Sequence, residues 1–384
     1  MTQEQKDHLF TNGRIVLADR VIDRGWVAIV DDRIVEIGEG QPPERGENCE
    51  GDLLMPGLVE LHTDHLEAHF MPRPKVYWNP VAAVVSYDGQ MATSGITTVL
   101  DSLRVWSDEP DAVDSETELL ANAIADARAA NLLRADHYLH LRCEVPTPDV
   151  VELAGRLMGR QDVRLTSLMD HTPGQRQFRD PEKLRTYYRG KSGGLTDVEL
   201  DALFEKRIRL QRAHGEDNYR RLVGLAKQFH KPLASHDDTT LDHVSQAIDD
   251  GIAIAEFPTT TEAAAGLHDA GIKVMMGAPN LVRGGSHSGN IATADLAREG
   301  MLDILSSDYI PSSLLMAAMQ MPSAVPGIDL AAAVRTITKT PAEAVGFTDR
   351  GEIAKSKRAD LIRVHLAGDV PAVRSVWLAG TRVA

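Results

Sequence analysis

The chain has 384 residues, 43% of them apolar and 25% charged, with a formal net charge of −15. That length exceeds one small core and suits a large barrel with a lesser partner domain. The acidity argues against a general nucleic-acid binder, and the only cysteines, Cys49 and Cys143, lack the spacing of a disulfide framework or thiolate metal site. No apolar run reaches membrane-spanning length, and the opening MTQEQKDHLF has no apolar signal segment, so a cytoplasmic protein without a membrane partner is expected.

In chain order, LFTNGRIVLAD and RGWVAIVDDRIVEIGEG alternate apolar and polar residues around the turn pairs Asn12-Gly13 and Asp31-Asp32, and so read as short strands. The C-terminal ADLIRVHLAGDVPAVRSVWLAGTRVA has the same character. Residues 1–54 with 350–384 are therefore expected to build one small β-domain, and residues 55–349 the main body. That body alternates strands with helices. The strand candidates are 57–64, 96–103, 137–145, 163–172, 231–238, 252–260, 273–280 and 302–309. Helical stretches such as ETELLANAIADARAAN and HVSQAIDDG lie between them. Eight such units over roughly 250 residues predict a (β/α)8 barrel, an α/β fold.

The strands start apolar and end polar. His62 and Asp64 close the first, Glu144 the third, His171 the fourth, His236 the fifth and Asp308 the eighth. All sit at C-terminal strand ends, where barrel enzymes keep their chemistry. Side chains alternate with period two. His62 and Asp64 are thus expected to face the mouth, with Val59 and Leu61 pointing away, and His140, Arg142 and Glu144 to share a face opposite Leu139, Leu141 and Cys143. A single strand-end histidine is usually structural, but six such groups on five strands point to a divalent metal site. Imidazole with carboxylate suits Zn²⁺ or Mn²⁺, one ion or two. His62, Asp64, Glu144, His171, His236 and Asp308 are the candidate ligands. His65 and His69 lie beyond the strand without HExxH spacing and read as outer groups, and Glu67 either touches a ligand or faces solvent.

LLMPGLVELHTD, the β-domain from both termini and the aspartate of strand eight resemble the amidohydrolase superfamily, whose first-strand motif is PG-x-x-D/E-x-H-x-H. Here Asp64 stands at the second histidine, and Glu144 takes the place of a carboxylated lysine. ELHTDHLEAHFMPRPKVYWNP, HLRCEV, LMDHTPGQRQF, ASHDD, MGAPNLVRGGSHSGN and LSSDYIPSSLL look like the phosphonate-metabolism branch, the PhnM family, from about residue 10 onward. The resemblance implies a diphosphatase that converts α-D-ribose 1-methylphosphonate 5-triphosphate into the 5-phosphate and pyrophosphate. A homo-oligomer and association with other phosphonate-pathway proteins are the partners that fit it.

Such a substrate is strongly anionic, and cationic loops at the mouth suit it. The loop after strand four carries Arg176, Arg179 and Arg189, whose forks match phosphate oxygens. After strand seven, NLVRGGSHSGN offers Arg283, Ser286, His287 and Asn290 beside glycine-rich backbone, although no P-loop is present. The expected chemistry is metal-assisted, in-line attack of water on the α-phosphorus. Asp308 would accept the proton, and His236 or His287 would stabilise phosphoryl oxygens. The same site would also serve hydrolysis of a C–N bond in a cyclic amide or N-acyl substrate. A third alternative is a non-catalytic subunit of a phosphonate-processing assembly. The cationic loops favour the phosphate reading over the amide one.

Overall fold

The computed structural model describes residues 8–106, 116–176, 184–185, 196–286 and 289–384. Five strands come from the N-terminal segment: β1 His8–Val16, β2 Val21–Val30, β3 Arg33–Glu39, β4 Glu47–Asn48 and β5 Leu53–Pro56. Eight more follow in the body: β6 Leu58–Thr63, β7 Ile96–Val105, β8 Asp136–Glu144, β9 Val163–Met169, β10 Leu233–His236, β11 Ile254–Glu256, β12 Lys273–Gly277 and β13 Ile304–Ser306. The C-terminal segment adds β14 Leu361–Ala367, β15 Val370–Leu378 and β16 Thr381–Arg382.

β6 to β13 pair in parallel in chain order. A bridge from Thr63 to Asp308 joins the two end strands at their C-terminal tips, and Ser306 Oγ donates to the His62 carbonyl at 2.5 Å. This is the expected (β/α)8 barrel. Helices follow most strands because apolar residues recur at helical spacing. In Val150–Met158, for example, Val150, Val151, Leu153, Ala154, Leu157 and Met158 are all buried. The remaining strands form a second sheet in the order β16-β15-β14-β5-β1-β2-β3, with β4 beside β1. Its core includes Phe10, Ile15, Ile29, Leu54 and Trp377, and the Phe10 and Trp377 rings meet edge-on at 4.6 Å. We propose the division into 1–54 with 350–384, and 55–349, although β5, Leu53–Pro56, carries the second sheet two residues past the first boundary. The two parts are clamped together: Asp136, at the start of β8, accepts from Arg350 Nη1 at 2.7 Å and Arg358 Nη1 at 2.6 Å.

The barrel interior is packed rather than hollow. Val59, Leu61, Leu100, Leu165, Ala234, Ile254, Met275 and Ile304 fill it, and Ala342, Val345 and Phe347 pack into the same cluster. Val59 and Leu61 therefore point inward, contrary to the simple alternation expected for the first barrel strand. The register explains this: from Glu60 to Thr63 three steps on β6 match the two steps from Val99 to Asp101 on β7. The extra residue breaks the period of two, so His62 also reaches the interior, above Leu61. On β8 the alternation holds, and Leu139, Leu141 and Cys143 join the outer core beneath the helices.

Candidate metal centre

Two groups of metal-capable side chains gather at the C-terminal mouth of the barrel. His62, His140 and Glu256 form the first, all buried, and His171, His236 and Asp237 the second. The first is built around Glu256, which ends β11. Its Oε1 lies 3.2 Å from His62 Nδ1 and 3.5 Å from His140 Nε2. Its Oε2 accepts from Ser167 Oγ at 2.7 Å and lies 2.9 Å from His236 Nδ1. Burial opposes the charge on Glu256, but the imidazoles of His62 and His140 and the hydrogen bond to His236 outweigh it and hold the carboxyl well below its usual range. His140 is pushed the other way, down to about 3, chiefly by burial, and so stays neutral as a ligand must. Its Nδ1 is 2.9 Å from the Leu61 carbonyl, and its Nε2 meets Ser167 Oγ and lies 3.5 Å from Glu256 Oε1.

The second group depends on a local break in strand geometry. Consecutive residues of a strand point to opposite faces. Asp237, just past β10, instead adopts φ 56°, in the left-handed region. The turn brings its Oδ2 to 3.4 Å from His236 Nε2 and 3.9 Å from His171 Nε2. Phe257 after β11 (φ 55°) and Asp308 after β13 (φ 53°) share this conformation. Such backbone costs about 1–3 kcal/mol per residue and gathers at functional sites. Phe257 uses it to set its ring edge-on to His62 at 5.1 Å and His236 at 5.4 Å, which shields both imidazoles. The following helices are pinned by their caps, Thr240 accepting from His243 N and Thr260 from Ala263 N. A threonine cap contributes about 1 kcal/mol, so these loops are held at both ends.

The donor set fits a divalent ion. Among the described residues, His62 Nδ1, Glu256 Oε1 and Asp237 Oδ2 are buried without a hydrogen-bond partner. A buried polar atom left unpaired costs about 1–3 kcal/mol, which a shared cation would remove. Imidazole with carboxylate is the donor chemistry of zinc and manganese sites.

The residues singled out from sequence take distinct positions. His62, His171 and His236 enter the two groups. Both oxygens of Glu144 are occupied by His171, Oε2 lying 2.6 Å from Nδ1 and Oε1 accepting from the backbone N–H at 2.9 Å. Asp64 is turned to Arg142, whose Nη1 donates to Oδ2 at 3.2 Å. The half-buried Asp308 is fixed by its backbone N–H donating to the His62 carbonyl at 3.2 Å. Burial first, and then the neighbouring Asp64, push its carboxyl up to about 6. Arg176 Nη1 donates to the His236 carbonyl at 2.8 Å and to Asp238 Oδ1 at 2.9 Å, bracing β10. Arg283 is exposed at the end of the helix Ala278–Arg283, and Ser286 and Asn290 are half-buried just beyond it. Arg179, Arg189 and His287 lie outside the described residues. Glu67 pairs with Arg104, while His65 and His69 share Gln90 Oε1 at 3.0 and 2.9 Å, away from both groups.

His140, Glu256 and Asp237, which join His62, His171 and His236 in the two groups, are not among the candidate ligands read from the sequence. The shared face of His140, Arg142 and Glu144 was a usable signal, as was a lone glutamate ending the apolar run IAIAE. Asp237 gave none, because its position depends on the left-handed turn.

A parallel barrel with histidine and carboxylate donors at its mouth defines a class of metal-dependent hydrolases, and the chain belongs to the amidohydrolase family, which it matches over residues 53–383. Solved structures share the fold. N-isopropylammelide isopropylaminohydrolase from Burkholderia multivorans ATCC 17616 has a TM-score of 0.66 at 17% identity, covering 97% of each chain. N-acetyl-D-glucosamine-6-phosphate deacetylase from Mycobacterium smegmatis has 0.63 at 19%, covering 98% of this chain and 100% of that one. A much nearer sequence relative is the alpha-D-ribose 1-methylphosphonate 5-triphosphate diphosphatase of Escherichia coli (strain K12), 43% identical over 380 residues, spanning 98% of this chain and all of that protein. Among the described residues no helix is long and apolar enough to cross a membrane.

Proposed function

We propose that the protein is a metal-dependent diphosphatase of phosphonate catabolism. It hydrolyses α-D-ribose 1-methylphosphonate 5-triphosphate to the 5-phosphate and pyrophosphate. The near full-length identity with the Escherichia coli diphosphatase carries this reading. The two donor groups at the mouth support the chemistry.

His62, His140 and Glu256 would hold one divalent ion, and His171, His236 and Asp237 a second, with Zn²⁺ or Mn²⁺ the ions the donors suit. When bound, the metal supplies Lewis acidity to the phosphoryl oxygens. Glu256 Oε2 would orient the ring of His236 through Nδ1, and Glu144 fixes the ring of His171 from behind. Asp308 accepts the proton of the attacking water. A carboxyl raised to about 6 is a better general base near neutrality than an ordinary one. Arg176 holds the β10 backbone at His236, and the loops carrying Arg179, Arg189, Arg283, Ser286, His287 and Asn290 are assigned to the substrate's anionic groups. We expect a cytoplasmic protein, with homo-oligomerisation and association with other phosphonate-pathway proteins tested by sedimentation.

The test is turnover by purified protein. Release of pyrophosphate from the ribose triphosphate, abolished by a chelator and restored by Zn²⁺ or Mn²⁺, is the expected result. Turnover of dihydroorotate or N-acyl amino acids alone would transfer the site to C–N bond hydrolysis.

A further inference from the structure

On β8, between His140 of the first donor group and Glu144, which holds His171 of the second, lies an arginine to which the chemistry above gives no task. Arg142 sits on the inner face of β8 between His140 and Glu144, its side chain 13% exposed. One Nη1 donates to Asp64 Oδ2 at 3.2 Å. Its Nε is buried and, among the described residues, without a hydrogen-bond partner. Asp64, Glu67, Asp308 and Glu256 all act electrostatically on its guanidinium, and it acts in turn on His140 and His171. Arg142 thus shares its strand face with His140 of the first group and with Glu144, the partner of His171 in the second.

A guanidinium offers five N–H donors in a rigid fork. The Asp64 bond uses one, and fixes the fork in place. The surrounding carboxylates would repel a triphosphate entering the mouth, and Arg142 is a permanent cation within that cluster. Arg176, by contrast, is committed to the His236 carbonyl and to Asp238.

We propose that Arg142 is a substrate-binding residue that grips phosphate oxygens of the triphosphate, with Asp64 as its positioning counter-ion. This rests on the diphosphatase reading. It gives the departure at the second histidine position of the first-strand motif a purpose: the carboxylate of Asp64 aims an arginine. The alternative is that Arg142 only neutralises neighbouring carboxylates.

The test is the affinity of the metal-loaded protein for inorganic pyrophosphate, measured by calorimetry on wild type, Arg142→Gln and Arg142→Lys, with metal content and thermal midpoint recorded for each. KM and kcat for the ribose triphosphate are measured in parallel. The expected result is pyrophosphate binding weakened about 10- to 100-fold in Arg142→Gln, the range of a lost charge-assisted pair. Arg142→Lys falls between, because lysine keeps the charge and loses the fork. KM rises more than kcat falls, and metal content stays at the wild-type level. Unchanged pyrophosphate affinity in both variants, or a loss that only follows loss of metal, overturns the assignment. Should Arg142→Gln fail to fold, unchanged affinity in Arg142→Lys overturns it alone. Wild-type protein that releases no pyrophosphate from the triphosphate defeats the diphosphatase reading instead, and the calorimetry still decides whether Arg142 binds pyrophosphate.

Discussion

His137 is the group whose replacement has the most sharply defined consequence for stability. Its ring is fully buried behind the barrel wall. Nδ1 lies 2.9 Å from Asp101 Oδ2 on β7, and Nε2 lies 3.3 Å from Asp88 Oδ1 on the helix Pro80–Thr93. Asp88 also accepts from the backbone N–H groups of Arg134 and Ala135 at 2.8 and 2.9 Å, so this bridge ties helix, loop and two strands together. Burial disfavours the imidazolium, but the two carboxylates outweigh it and push His137 up to about 9 from 6.5. That gap corresponds to about 3 kcal/mol. The sign follows from a raised folded-state value. The contribution is fully present below pH 6.5, declines as pH rises, and is lost above about 9. Denaturant midpoints of wild type and His137→Gln, followed by tryptophan fluorescence at several pH values from about 6 to 9.5, isolate it, because other titrating groups largely cancel in the difference. The wild type should be clearly more stable at the acid end, and the gap should narrow by about 3 kcal/mol toward the alkaline end. Parallel pH profiles would refute the claim that an ionised bridge holds this part of the wall.

Two further substitutions address the site. Glu256→Gln removes the carboxylate assigned to the first ion and the partner of His236, so metal affinity should fall by more than the about 10- to 100-fold that follows loss of an orienting partner, read as metal retained after dialysis by elemental analysis. Full retention would separate Glu256 from metal binding. Asp308→Asn should leave the fold and most of the metal intact while lowering kcat by about 100-fold or more, the usual effect of losing a general base. Steady-state turnover at the wild-type rate would remove Asp308 from proton transfer.

The strand–helix alternation was legible because barrel strands are short apolar runs with polar C-terminal ends. The terminal strands were legible from their alternation and the Asp31-Asp32 turn between β2 and β3, whereas Asn12-Gly13 falls inside β1 at a register shift and makes no turn. The stretch 273–280 was overextended as a strand, since Ala278–Arg283 is helical, with proline in its first turn. His62, His171 and His236 were visible because histidine is conspicuous at the end of an apolar run. The other donors were obscured by effects that alternation does not encode. The register shift on β6 places Val59, Leu61 and His62 all inside. The left-handed turn at Asp237 puts neighbouring residues on one centre. Glu256 looks like an ordinary strand-end glutamate until β9, β10 and β11 stand side by side and bring Ser167 and His236 to its oxygens.

The proposed chemistry is attack of water on the α-phosphorus of the ribose triphosphate at the barrel mouth. Phosphorus NMR of the products formed by metal-loaded protein in heavy-oxygen water tests this most directly. Label confined to the ribose 5-phosphate, with unlabelled pyrophosphate beside it, is the predicted result. Label in pyrophosphate, or release of orthophosphate in its place, would contradict it.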